Sequence, residues 1–211
     1  MIRIQLDNAA KRFQYEWIFR NLSLEIPANS NLAITGGNGS GKSTFLKAIA
    51  SLNPLTEGNL SYFLKEKEIL GEDIYKQLTI SAPYLELPEE FTLIELLEFH
   101  FKFKNPVADL SFEKMMEIMY LENHQNKPIS QFSSGMKQRL KLGLCFFSDA
   151  SLVLLDEPTS NLDEKGISWY LELVQKYGLN KTLLICSNDK REYDFCEQII
   201  NIEDYKIKRS I

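Results

Sequence analysis

The residues Gly36-Gly37-Asn38-Gly39-Ser40-Gly41-Lys42-Ser43-Thr44 carry the most specific chemistry in the chain. They satisfy the spacing G-x-x-x-x-G-K-S/T. In this pattern glycines let successive backbone N–H groups turn inward as an anion nest, and the N-terminus of a following helix adds partial positive charge. Phosphate is the ligand such a nest suits. Lys42 would then reach the β and γ phosphates of a nucleoside triphosphate, and the Ser43 hydroxyl would reach a Mg²⁺ ion bound with them. A chance match in a chain of this length is expected in about one protein in a hundred. A plain glycine-rich turn before a helix has no need of Lys42 and Ser43 together.

The apolar run Leu152-Val153-Leu154-Leu155 ends in Asp156-Glu157. Ligands of open α/β sheets bind beyond the carboxyl ends of strands. Asp156 is thus placed to hold Mg²⁺ through its water shell, and Glu157 to orient or deprotonate an attacking water. Alone, the run would fit equally a core strand entering a loop with two solvated acids. The preceding phosphate loop favours the catalytic reading. A third segment, Phe132-Ser133-Ser134-Gly135-Met136-Lys137-Gln138-Arg139-Leu140, lies upstream of Asp156. Met136, Leu140, Leu144 and Phe147 fit one helix face capped by Ser133, and Lys137, Arg139 and Lys141 read as its solvated face.

These groups need elements to position them. Alternation at Ile2, Ile4 and Leu6, and again at Leu22, Leu24 and Ile26, predicts two half-buried antiparallel strands. Leu32 to Thr35 predicts a short strand feeding the glycine loop, and Lys42 to about Ala50 a helix ahead of Pro54. From about Gly71 to Phe147 the spacing of Leu93, Leu96, Leu97 and Phe101, then of Phe112, Met115, Met116 and Met119, predicts mostly helix. The C-terminal part alternates strand Leu152–Leu155, helix Glu164–Tyr177, strand Leu183–Cys186 and strand Ile199–Ile202, the order of a parallel sheet.

Composition bounds the function. The 211 residues are 44% hydrophobic, enough for one sizeable α/β core. A formal charge of -5 disfavours a phosphate-backbone surface, so no nucleic-acid partner is expected. Cys145, Cys186 and Cys196 lack metal-ligand spacing and read as reduced core thiols. No apolar run approaches the roughly 18 residues that span a bilayer, and no charged-then-apolar leader opens the chain, which predicts a soluble, intracellular protein.

The order of phosphate loop, Ser133 segment, Asp156-Glu157-Pro158-Thr159 and Ser160-Asn161-Leu162-Asp163 resembles the whole cassette of the ATP-binding cassette (ABC) ATPases, with Ser133-Ser134-Gly135 in the place of that family's L-S-G-G-Q signature. The resemblance implies one nucleotide-binding domain over residues 1–211. Its fold would be an α/β phosphate-loop NTPase core with a parallel sheet, an N-terminal antiparallel β part and an inserted helical subdomain at about 71–147. It implies ATP and Mg²⁺ as ligands, and a homodimer or heterodimer with a second cassette paired head to tail. Each ATP would lie between the loop Gly36 to Thr44 of one chain and Ser133, Ser134 and Gly135 of the other. Asp163 resembles the aspartate of the loop that crosses the dimer interface. Phe13 matches the aromatic that stacks on adenine, with Tyr15 as a nearby substitute; strand packing is the alternative for Phe13.

By the same likeness the chain would be the ATP-hydrolysing subunit of a transporter, peripheral on the cytoplasmic face and driving separate membrane-spanning subunits, with exporters the closer pattern. Tyr84 to Lys104 would be the docking surface, although Phe91, Phe99, Phe101 and Phe103 also fit the subdomain's own core. Other readings are a soluble non-transport ABC ATPase, a catalytically weak half-site of a heterodimer, and a phosphate-loop kinase, against which the signature segment argues. Three departures bear on mechanism. Ser134 and Met136 replace a glycine and a glutamine of the signature. Tyr84 stands where the family has a glutamine near Mg²⁺. Asn188 takes the place of a catalytic histidine and can donate a hydrogen bond to the γ phosphate but cannot carry a proton.

Overall fold

The computed structural model describes residues 1–206. The first alternating stretch forms β1 (Ile2–Phe13), which turns back antiparallel as β2 (Glu16–Ile26), with Ile4 opposite Ile26 and Leu6 opposite Leu24. After β3 (Asn31–Thr35) and α1 (Lys42–Ile49), β4 (Glu57–Leu64) pairs with the other edge of β1, and β5 (Lys67–Ile69) pairs with β4. The first sheet is therefore antiparallel, in the order β2-β1-β4-β5.

The remaining elements are β6 (Leu78–Ser81), α2 (Leu93–His100), α3 (Phe112–Ile118), α4 (Ser134–Phe147), β7 (Leu152–Asp156), α5 (Glu164–Tyr177), β8 (Thr182–Cys186) and β9 (Gln198–Asn201). A second sheet, wholly parallel, runs β6-β7-β8-β3-β9. The fold is the expected α/β core with an antiparallel N-terminal part. Within residues 71–147 the chain first makes a 3-10 turn, Gly71–Lys76, and then β6, so the helices occupy only its later part.

Strands β7 and β8 are buried along their whole length, as strands covered on both faces must be. Their period of two divides the interior. Val153, Leu155, Leu183 and Ile185 face one core with residues of α2, α3, α4 and α5, while Leu152, Leu154, Leu184 and Cys186 face another with α1 and the antiparallel sheet. Loops at the carboxyl ends of β3, β7 and β8 therefore emerge side by side. Cys145 and Cys186 lie in these cores and Cys196 is half-buried; burial pushes the Cys145 and Cys196 thiols up to about 12.

Helix α4 departs from the expected solvated face. Lys137, Arg139 and Lys141 are each half-buried, because α4 is packed between β6 and the helical layer and long side chains lie along its flanks. Lys137 pairs with Glu89, and the Arg139 guanidinium lies 5.2 Å from the Tyr120 ring centre and 5.8 Å from that of Trp169. Lys141 Nζ donates to the carbonyl of Ala82 at 3.3 Å. Nearby, Lys104 Nζ donates to the carbonyl of Leu78 at 2.8 Å, on the outer side of β6.

His100, at the end of α2, shares a hydrogen bond with the Ser148 hydroxyl at 2.9 Å. Burial, aided by the charge of Lys104, lowers its pKa from 6.5 to about 4. The folded chain therefore binds fewer protons here than the unfolded chain between those two values, and the His100 contribution to stability is complete above 6.5 and lost as pH falls toward 4. Urea midpoints measured across that window should fall more steeply for the native chain than for His100→Asn.

Candidate nucleotide-binding site

The glycine loop joins β3 to α1 at the carboxyl end of the parallel sheet. Gly36, Gly39 and Gly41 have φ of 139°, 74° and 113°, values that side-chain-bearing residues rarely adopt. Gly41 is the most constrained: a Cβ there would lie 2.3 Å from Ile18 Cγ2. Gly41→Ala should therefore lower stability by about 1–3 kcal/mol and weaken nucleotide binding, as read by urea unfolding and by titration with ATP. Lys42 is 6% exposed, and its ammonium donates to the carbonyls of Gly36 at 2.6 Å and Gly37 at 3.2 Å. The charge is thereby held across the mouth of the loop.

The loop opens on a pocket of about 310 Å³ lined by Asn38 to Thr44 together with Phe13, Ile18 and Glu157. Phe13, 45% exposed at the end of β1, belongs to neither core, and the Lys11 ammonium lies 5.1 Å from its ring centre. Its ring is available to a ligand, whereas Tyr15, 97% exposed, contributes no wall. Ser40 lines this pocket, and its buried hydroxyl has no hydrogen-bond partner among the described residues. A phosphate oxygen would supply one.

Asp156, the last residue of β7, is buried. Burial raises its pKa; the Ser43 hydroxyl opposes that rise, Glu157 adds to it, and Lys42 and Lys47 oppose it. A carboxylate and a hydroxyl thus share one corner beside the phosphate loop. Mg²⁺ is commonly held by one or two protein oxygens with the rest from phosphates and water, so this pair fits it. Among the described residues, no group of three or more His, Cys, Asp or Glu side chains offers an all-protein metal site.

Glu157 is exposed and lines two pockets, that of the glycine loop and a neighbouring one of about 320 Å³. Its φ is 47°, the left-handed region. The turn is held by its N–H, which donates to Cys186 O at 2.9 Å, and by its carbonyl, which accepts from Ser160 N at 3.1 Å. Asn188 leaves β8 to meet the loop. Its carbonyl oxygen accepts from Gly36 N–H at 3.3 Å, and its amide donates to Asn38 Oδ1 at 3.4 Å. Tyr84 stands near Asp156, whose charge joins burial in raising the phenol pKa, so the hydroxyl keeps its proton. The Lys47 ammonium lies 3.7 Å from its ring centre.

The structure therefore gathers Phe13, Gly36 to Thr44, Asp156, Glu157 and Asn188. It does not bring Ser133, Ser134 and Gly135 to them, and none of the three lines either pocket. The Ser133 hydroxyl caps α4, accepting from Met136 N at 3.3 Å, and Ser133 and Ser134 are exposed. Asp163 caps α5, accepting from Gly166 N at 2.8 Å. Three participants went unread in the sequence: Ile18, Gln138 and Glu192. Gln138 leaves a trace there, a lone amide among the apolar positions of α4; the other two leave none.

The sequence model of the ABC transporter family matches residues 19–160. The chain is 27% identical over 98% of its length to the uncharacterized ABC transporter ATP-binding protein YybJ of Bacillus subtilis, covering 95% of that protein. It is 28% identical over 95% of its length to the lantibiotic transport ATP-binding protein SrtF of Streptococcus pyogenes, covering 85% of it. Its fold superposes on the dimeric structure of MJ0796, a bacterial ABC transporter cassette, with a TM-score of 0.80 at 24% identity, covering 98% of this chain and 97% of that one. With a phosphate loop and an exposed Glu157 lining one pocket, Asp156 buried next to that Glu157, and a family match over most of its length, the chain belongs to the ABC transporter family.

Proposed function

We propose that the chain binds ATP with Mg²⁺, hydrolyses it as one of two paired cassettes, and so drives transport through separate membrane subunits at the cytoplasmic face. The observation that carries this reading is a divided site. The phosphate loop and Glu157 line one pocket, Glu157 and Asn188 line its neighbour and Asp156 is buried beside the Ser43 hydroxyl, while the capped N-terminus of α4 lies outside both pockets, with Ser133 and Ser134 exposed. A helix N-terminus with exposed serines suits a phosphate, and a second chain would supply the one it meets.

In the proposed chemistry Lys42 transfers its ammonium hydrogen bonds from Gly36 and Gly37 to the β and γ phosphates. Ser43 and Asp156 would hold Mg²⁺, which would supply positive charge against the phosphates. Glu157 accepts the proton of the attacking water or orients it. Asn188 and Tyr84 can each donate a hydrogen bond but neither is cationic, so turnover should be slow. Phe13 stacks on the base.

The docking side rests on exposure. Phe91, Phe99 and Phe103 form a ladder with ring centres 5.3 and 5.2 Å apart, and Phe99 and Phe103 are exposed. Phe101 faces inward, stacked on Phe112 at 5.6 Å. Beside the ladder a groove of about 340 Å³ runs along β6, bordered by Leu85, Leu87 and His100. Such an apolar groove suits a segment of a membrane subunit. Among the described residues no helix is long and apolar enough to cross a membrane, and the likeness to SrtF supports a transport role. The test is assembly: the Glu157→Gln chain with ATP and Mg²⁺ should elute as a dimer in size-exclusion chromatography. A monomer at saturating ATP would sink the paired-site reading.

A further inference from the structure

The peptide unit joining Pro158 to Thr159 is gripped at both ends. Its carbonyl accepts a hydrogen bond from Gln138 Nε2 at 2.6 Å. Its N–H donates to Glu192 Oε1 at 2.7 Å, and the Thr159 hydroxyl donates to the same oxygen. Both gripping residues are buried, 6% and 3% exposed. They arrive from separate elements: Gln138 from the first turns of α4, Glu192 from a 3-10 turn, Lys190–Glu192, just past Asn188. The Tyr170 hydroxyl donates to the Glu192 carbonyl at 3.0 Å and fixes that turn in its own right.

A buried carboxylate and a buried amide are poor stabilisers, since desolvation cancels most of what their hydrogen bonds return. Here burial does raise the Glu192 pKa, against the hydroxyls of Ser187 and Thr159. What two directed side chains on one peptide provide is orientation. That peptide lies one residue beyond Glu157, separated from it only by Pro158, and the Glu157 backbone sits in the left-handed region with its N–H fixed to Cys186 O. Rotation of the Pro158–Thr159 peptide would swing the Glu157 turn, and the two grips oppose it.

We propose that Gln138 and Glu192 are positioning residues that hold the Glu157 carboxylate in its hydrolytic orientation. Through Gln138 they also tie it to α4, so that the turn serving this chain's own ATP and the helix N-terminus serving the partner's ATP move together. The proposal rests on the reading of Glu157 as the hydrolytic base. Neither residue lines the glycine-loop pocket, and in this proposal each acts through the peptide.

The test uses the full chain with Glu192→Ala, Gln138→Ala and Glu192→Gln, measuring kcat and KM for ATP with Mg²⁺, and amide hydrogen exchange at Thr159. Each alanine variant should lose about ten- to a hundredfold in kcat with KM near the native value. Thr159 exchange should accelerate in both while the amides of β7 keep their native protection. Glu192→Gln retains an oxygen for both Thr159 donors and should recover most of the lost kcat. Should an alanine variant fail to fold, Glu192→Asp, which withdraws the acceptor by one methylene, carries the same expectation as Glu192→Ala. Native-like kcat in the alanine variants would overturn the proposal, and so would a loss of kcat matched by a general loss of protection through β7. Absent turnover in the native chain would sink the hydrolysis reading by itself. The clamp would then stand or fall on Thr159 protection, which requires no turnover.

Discussion

Replacing Glu157 with glutamine should lower steady-state ATP turnover by about 10²- to 10⁴-fold while ATP affinity stays at its native value. Glutamine has the same shape and can sit in the same left-handed backbone, held by the same bonds to Cys186 and Ser160. It cannot accept a proton. Glu157 lines the wall of the glycine-loop pocket without belonging to the loop itself, so ground-state binding should be indifferent to the change. A loss in kcat and kcat/KM together, with KM unmoved, is the signature of a group used in the transition state. Turnover within threefold of native would remove Glu157 from the proposed role.

Lys42→Met should act differently, reducing turnover by about 10²- to 10³-fold and raising KM as well. Methionine preserves the apolar stem in its buried channel, so the change isolates the ammonium. In the structure that ammonium bonds to Gly36 O and Gly37 O, and in the proposed complex it serves phosphate oxygens in the ground state as well as the transition state. Lys42→Arg should not restore activity, since a planar fork cannot replace a compact point charge at this spot. Native ATP affinity in Lys42→Met, measured by calorimetric titration, would refute the assignment. The contrast between the two variants separates binding from chemistry within one pocket.

The phosphate loop, Asp156 and Glu157 were legible because each is written contiguously, an apolar strand running straight into its functional turn. Tyr84 follows only from its spacing to Phe91-Thr92 and Asn188 from its place after the strand Leu183–Cys186; Tyr84 stands near Asp156 and Asn188 bonds to Gly36. Ile18, Gln138 and Glu192 were not legible, because each acts on a distant segment: Ile18 on Gly41, Gln138 on Pro158, Glu192 on Thr159. Periodicity also misjudged the basic residues of α4. A helical period shows which face is apolar, but not that a helix is flanked on two sides, and only packing reveals that Arg139 lies against Trp169. The same limit applies to the phenylalanines, of which Phe101 turns inward and Phe103 outward two positions apart. Short β6, embedded in a stretch dominated by helical spacing, is not marked by periodicity, and its pairing with β7 makes it a sheet strand.

Strand β6 ends the parallel sheet, and the unpaired main-chain groups of a border strand are a template on which other chains can pair. Lys104 and Lys141 occupy the carbonyls of Leu78 and Ala82 along that border. A visiting strand would have to displace two ammonium groups before it could form its first main-chain bonds. At this border the two lysines therefore take up main-chain acceptors that a visiting strand would need.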